Sequence, residues 1–249
     1  MTWLPLRPDL QGHPAYGAPE AHVAARLNVN ENPYPASPAI VKDIAEAVGR
    51  AAGEANRYPP REFPELRAAL ATYLRAEAGI EFAPEMIWAA NGSNEVMVQL
   101  LQAFASSGRT VISAPPTYSM YPEYALITES TYLTVPRDDN YRVNTDAIVQ
   151  AASRHSASVV LLASPNNPTG TAMDADQVDQ LATALRGCGP GGCDTVLVMD
   201  EAYAEFRRPT TISALTLVER HRNLAVSRTM SKAFAMAGLR LGYLVANAE

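Results

Sequence analysis

The chain has 249 residues, 47% hydrophobic and 18% charged, and its 20 basic against 26 acidic residues give a formal charge of −6. That length holds one large α/β domain or two modest ones, and the composition excludes a disordered chain. It also offers no basic surplus for nucleic acid, no apolar run of the roughly 18 residues a membrane helix needs and no cysteine framework, so a cytoplasmic chain is expected.

The first thirty residues are punctuated by Pro and Gly and lack the basic-then-apolar order of a signal peptide, which predicts a run over a surface. A polar cluster at 28–32 and Pro33-Tyr34-Pro35 precede a helical pattern with Ile40, Val41, Ile44 and Val48 on one face. Asn56-Arg57-Tyr58-Pro59-Pro60 breaks it. A second helix is expected over 63–78, with Leu66, Leu70, Tyr73 and Leu74 aligned and Gly79 at its end. Short apolar runs then follow at 86–90, 111–113, 131–135, 159–163, 196–199 and 224–227. Helical stretches at 96–104, 121–126, 145–154 and 174–186 alternate with them. This rhythm predicts an α/β fold, a mostly parallel sheet covered by helices on both faces.

In such a sheet ligands gather beyond the carboxyl ends of the strands, so the loops there are informative. Asn91-Gly92-Ser93-Asn94 joins a strand to a helix and reads either as a phosphate cradle or as a plain turn with Ser93 or Asn94 as the cap. Ser164-Pro165-Asn166-Asn167-Pro168-Thr169-Gly170 reads as a rigid loop or as a platform for amide donors. Asp200, with Tyr203 three residues on, ends a buried run and needs a cation or donors. Ser227-Arg228-Thr229-Met230-Ser231-Lys232 leads into an apolar segment and Arg240. Only two of the 20 basic residues are lysines, leaving 20 − 2 = 18 arginines. Lys42 sits on a polar helix face, so Lys232 is the lysine with chemistry around it. A lysine, an acidic partner, ring donors and a phosphate pocket together fit pyridoxal 5'-phosphate.

Other signals are weaker. Gly187, Gly189 and Gly192 match a dinucleotide fingerprint literally, but they follow a helix and precede a strand, the reverse of the required context. Cys188 and Cys193 flank them without further ligands. Histidines 13, 22, 155 and 221 show no ligand spacing, and no metal is expected.

The segments NENPY (30–34), NRYP (56–59), AANGSNE (89–95), PPTYSMY (115–121), SPNNPTG (164–170), DEAYAEF (200–206) and SRTMSKAFAMAGLRLGY (227–243) together resemble the fold-type-I pyridoxal-phosphate aminotransferases. Within them they are most similar to the histidinol-phosphate aminotransferase family, particularly its actinobacterial members. The resemblance spans nearly the whole chain in the family's motif order. It implies that Lys232 carries the cofactor, that Asp200 faces its ring nitrogen, and that Tyr203 and Asn167 reach its ring hydroxyl. Tyr118 would stack on the ring, while Ser93, Asn94, Thr229, Ser231 and Arg240 would hold the phosphate. Asn30, Asn32 and Tyr34 would line the substrate side. Tyr58 would reach the neighbouring site of a homodimer.

The implied reaction is ping-pong transamination from an amino donor, L-histidinol phosphate, to a 2-oxo acid, 2-oxoglutarate. An aromatic aminotransferase and a threonine-phosphate decarboxylase-like enzyme share the cofactor residues and remain alternatives. The resemblance further implies an N-terminal segment over 1–45, a cofactor-binding large domain over 46–249, and a small domain whose C-terminal part is absent. A cofactor-binding chain with impaired activity is therefore a third expectation.

Overall fold

The structure is a computed structural model that describes residues 3–17, 23 and 28–248; the expected surface run over 1, 2, 18–22 and 24–27 lies outside the described residues. Backbone contacts divide the chain into two units, residues 1–31 and 32–249. The described part of the first unit holds one short 3-10 turn, Pro8–Leu10, and leaves Trp3, Leu4 and Tyr16 exposed.

The second unit is built on a seven-stranded sheet. Its strands are β1 (Ile87–Asn91), β2 (Thr110–Ser113), β3 (Thr131–Thr134), β4 (Val159–Ala163), β5 (Val196–Asp200), β6 (Leu224–Thr229) and β7 (Leu241–Ala246). The order is β1-β7-β6-β5-β4-β2-β3. β7 runs antiparallel to both of its neighbours, and every other pairing is parallel. The six expected strands are present. β7 was not expected: Arg240 stands just before it and Gly242 interrupts it, and its pairing with β1 is set by a partner far away in sequence.

Six helices accompany the sheet: α1 (Pro38–Gly53), α2 (Pro64–Ala78), α3 (Ser93–Phe104), α4 (Tyr121–Ile127), α5 (Thr145–His155) and α6 (Ala175–Ala184). Local chemistry fixes their ends. Ser37 Oγ accepts from Ile40 N and Asn144 Oδ1 from Ala147 N, while Asp174 and Gln177 form a capping box. Gly79, at φ 71°, closes α2 in the left-handed conformation.

Strand alternation sorts the buried side chains into two clusters, one on each face. Val160, Leu162, Leu197, Met199 and Val226 pack with Leu74 of α2, Ile148 of α5 and Leu181 of α6. Val159, Leu161, Val198 and Ala225 pack with Leu101 of α3 and with Tyr121 and Tyr124 of α4. Each fully buried aliphatic side chain contributes about 1.5–3 kcal/mol, so the sheet is secured from both sides. α1 differs. It runs continuously across position 45, buries no residue, and leaves Ile40, Val41 and Val48 exposed. Its Lys42 pairs with Glu46 at 3.8 Å in solvent.

Candidate active site

Parallel pairing sets Ala163, Asp200 and Ser227 side by side where β4, β5 and β6 end. β1 is antiparallel to β7, which is antiparallel to β6, so β1 and β6 point the same way. The N-terminus of α3 therefore opens at the same edge as Asp200.

The β1–α3 turn has the form of an anion cradle. Gly92 is the N-cap of α3 at φ 84°, and no side chain caps the helix, so the cap reading of Ser93 and Asn94 does not hold. A Cβ on Gly92 would sit 2.2 Å from Arg240 Nη2, and one on Gly242 would sit 2.1 Å from Ser93 N. Gly242 is thus needed for close approach to the backbone of the turn, and Gly92 for its left-handed φ. Arg240 Nη1 donates to Ser231 Oγ at 3.4 Å, and Thr229 Oγ1 donates to the same oxygen at 3.0 Å. A helix N-terminus, two hydroxyls and a guanidinium suit a phosphate group.

Asp200 lies on the face of the sheet that carries α3 and α4. Its Oδ2 accepts from Tyr121 Oη at 3.1 Å and its Oδ1 from Ala202 N at 3.1 Å. Burial raises its pKa to about 6, against the pull of Tyr121 and Ala202, with Lys232 a further lowering influence. At neutral pH it is ionised. Lys232 Nζ lies 5.8 Å from the centre of the Tyr203 ring. Asn32 Nδ2 donates to the carbonyl oxygens of Lys232 and Ala233 at 3.4 and 3.2 Å, tying the start of the second unit to the lysine loop.

Tyr118 Oη and Tyr124 Oη both donate to Asn94 Oδ1, at 3.3 and 2.8 Å. The Tyr118 ring meets Tyr121 edge-on at 5.8 Å. In the loop after β4, Asn166 is the buried asparagine: its Nδ2 donates to Pro116 O and Thr169 Oγ1, and its Oδ1 accepts from Thr117. That network fixes the loop and leaves the half-buried Asn167 beside it. Tyr58 is 100% exposed and Tyr34 77% exposed, while Asn30 belongs to the first unit. Sequence reasoning passed over Tyr121, whose only local signal is a helical apolar position.

The Gly187–Gly192 match holds a 3-10 turn, Pro190–Gly192, between α6 and β5, and Gly189 N donates to Cys193 O at 2.7 Å. It is a connector. No helix among the described residues is long and apolar enough to cross a membrane.

A protein-family model described as aminotransferase class I and II matches residues 24–249. The chain is 52% identical to the histidinol-phosphate aminotransferase of Thermobifida fusca over 98% of its own length and 63% of that protein's. It is 49% identical to the enzyme of the same name from Bifidobacterium longum, again over 98% of this chain and 64% of that protein. Among solved structures, the histidinol-phosphate aminotransferase of Sinorhizobium meliloti in complex with pyridoxal-5'-phosphate is similar at TM-score 0.79 and 26% identity, over 98% of this chain and 64% of that one. The chain thus spans just under two thirds of the length of these relatives.

Proposed function

The chain belongs to the class I and II aminotransferases, and from that premise we propose that it binds pyridoxal 5'-phosphate and transaminates L-histidinol phosphate with 2-oxoglutarate. One observation carries the reading: Lys232, Asp200 and the Gly92–Arg240 cradle share one edge of one sheet. Bound there, the cofactor supplies an electron sink for the amino donor's α-carbon.

The chain's own residues do the rest. Lys232 would hold the cofactor through Nζ until the donor's amine takes its place, and the freed amine would then move a proton at the donor's α-carbon as general acid and base. Asp200 keeps a proton on the ring nitrogen through a charge-assisted hydrogen bond. Tyr203 and Asn167 serve the ring hydroxyl, and Tyr118 covers the ring. The amides of Ser93 and Asn94, with Thr229, Ser231 and Arg240, hold the phosphate. Asn32 and Tyr34 form part of the substrate side. Tyr58, fully exposed, serves the neighbouring site of a cytoplasmic homodimer.

The test starts with purified chain and pyridoxal 5'-phosphate. Borohydride reduction followed by peptide mass analysis is expected to fix one cofactor on Lys232. Half-reactions with L-histidinol phosphate, phenylalanine and phosphothreonine then rank the donors, with histidinol phosphate expected first. Absence of label at Lys232 overturns the cofactor reading; a different donor order overturns the substrate. A second reading, cofactor binding with impaired turnover, is favoured by α1, which buries none of its residues. Labelling at Lys232 without a half-reaction selects it.

A further inference from the structure

Asp200 is held from two directions. The Ala202 amide is in its own turn, but Tyr121 comes from α4, 79 positions away in sequence. Tyr121 is wholly buried. Its ring is fixed by Tyr118 edge-on at 5.8 Å and Tyr124 at 6.3 Å, and the hydroxyls of those two rings are themselves tied to Asn94 at the mouth of the cradle. Packing has therefore already removed the freedom of the Tyr121 ring, and its hydroxyl is delivered to one place.

The groups facing Asp200 are few. They are Tyr121 from α4, Glu201 next in the chain and Lys232 from the loop after β6. Glu201 turns away to Arg228 at 2.7 Å. Burial, and then the Asp200 carboxylate, hold the Tyr121 phenol well above its ordinary pKa, so it remains a donor at any working pH. A carboxylate buried without donors takes up a proton, and a protonated Asp200 is no anionic partner for a ring nitrogen.

We propose that Tyr121 is a positioning residue for the transamination reaction: its hydroxyl keeps Asp200 ionised and aimed, so that the carboxylate meets the cofactor's ring nitrogen ready-made. The inference rests on the cofactor reading above and adds a residue that reading does not contain. Tyr121→Phe is the direct probe, because it keeps the ring and its packing and removes one oxygen.

The test is a carbon-13 titration of aspartate carboxyls in the cofactor-free full chain, with Asp200 assigned by Asp200→Asn. In the wild type the Asp200 midpoint is expected at about 6. In Tyr121→Phe it moves up by about one unit, the scale of one lost hydrogen bond to a charged group. Tyr124→Phe loses a hydroxyl of the same cluster, one that serves Asn94, and leaves the midpoint in place. In the loaded chain, Tyr121→Phe carries the pH at which the cofactor's visible band changes upward, and lowers kcat with KM for the donor little altered. An Asp200 midpoint that is the same in folded Tyr121→Phe and wild type overturns the proposal. If Tyr121→Phe does not fold, 3-fluorotyrosine placed at 121 decides: a stronger donor must lower the midpoint, and an unmoved one overturns the proposal. A shifted midpoint in a chain that takes up no cofactor supports the Tyr121–Asp200 coupling and overturns the cofactor reading instead.

Discussion

Asp200 and Glu201 are adjacent carboxylates, both buried, and they are treated in opposite ways. Asp200 faces α3 and α4, accepts two hydrogen bonds, and has its pKa lifted to about 6 by burial. Glu201 turns toward the other face. There Oε2 accepts from Ser213 Oγ at 2.7 Å and from Arg228 Nε at 2.9 Å, and Oε1 accepts from Ala214 N at 2.7 Å. Arg228, 1% exposed within β6, also meets Glu205 at 3.4 Å and Glu77 at 3.5 Å. Burial opposes its charge, yet Glu201 and its neighbours hold its pKa above the ordinary range. A carboxylate matched on every side serves the fold. The other has two donors and no guanidinium against it, and on the proposed reading it is the one that meets the cofactor.

The sharpest way to break this contrast is Lys232→Ala. With the amine gone, transamination is expected to fall by at least about a thousandfold, while urea unfolding of the cofactor-free chain stays close to wild type. Comparable turnover would remove Lys232 from its role.

Arg228→Met attacks the other region. It takes the buried guanidinium from Glu201 and Glu205, while Glu77 keeps its pair with Arg207, and removal of one partner from a buried ion pair costs about 3–5 kcal/mol. Urea midpoints should show that loss, and Glu201→Gln added to it should recover part. If the double variant is no better than the single, the cluster is not a matched unit.

Asp200→Asn runs the other way. The folded chain binds the Asp200 proton up to about pH 6, against 3.8 for the free carboxyl. Folded protein therefore holds more protons than unfolded between those values, and Asp200 lowers stability as pH rises through the window. The gap corresponds to about 3 kcal/mol above pH 6. Asp200→Asn should stabilise the cofactor-free chain at neutral pH, lose that advantage near pH 4, and lose activity. A variant no more stable than wild type at pH 7.5 would show that Asp200 carries no such burden. The smallest effect belongs to Lys42→Ala, whose exposed pair with Glu46 is worth under about 0.5 kcal/mol by thermal unfolding.

The strands that sequence reveals best are those buried on both faces, such as β4, where every residue is apolar and covered. Lys232, Asp200 and the Gly92 turn were legible because each ends a strand with residues of unusual chemistry. β7 was not legible. Gly242 weakens its strand signature, and the reason for Gly242 is the Ser93 amide lying against it from a distant turn. Arg228 also reads as polar residue after a strand, yet it lies inside β6, because the carboxylates that make its burial tolerable come from elsewhere in the chain. Tyr121 and Asn166 were missed for the same reason. Their roles are defined by hydrogen bonds spanning 79 and 50 positions, which no local pattern encodes.

The placement of β7 also sets a timetable. β1 pairs with β7, so during synthesis β1 and the Gly92 turn emerge long before the strand that completes them. Asn91 and Arg240, joined across the cradle, are 149 positions apart. At about 5–20 residues per second, the nascent chain waits roughly 7–30 seconds for that closure. In that interval β1, an edge strand even in the finished sheet, is open on its β7 side as well and can pair with the wrong strand. The anion cradle is thus among the last parts of the sheet to form, and the lysine loop closes with it, because Met230 N donates to Leu241 O at 3.0 Å in the same late strand.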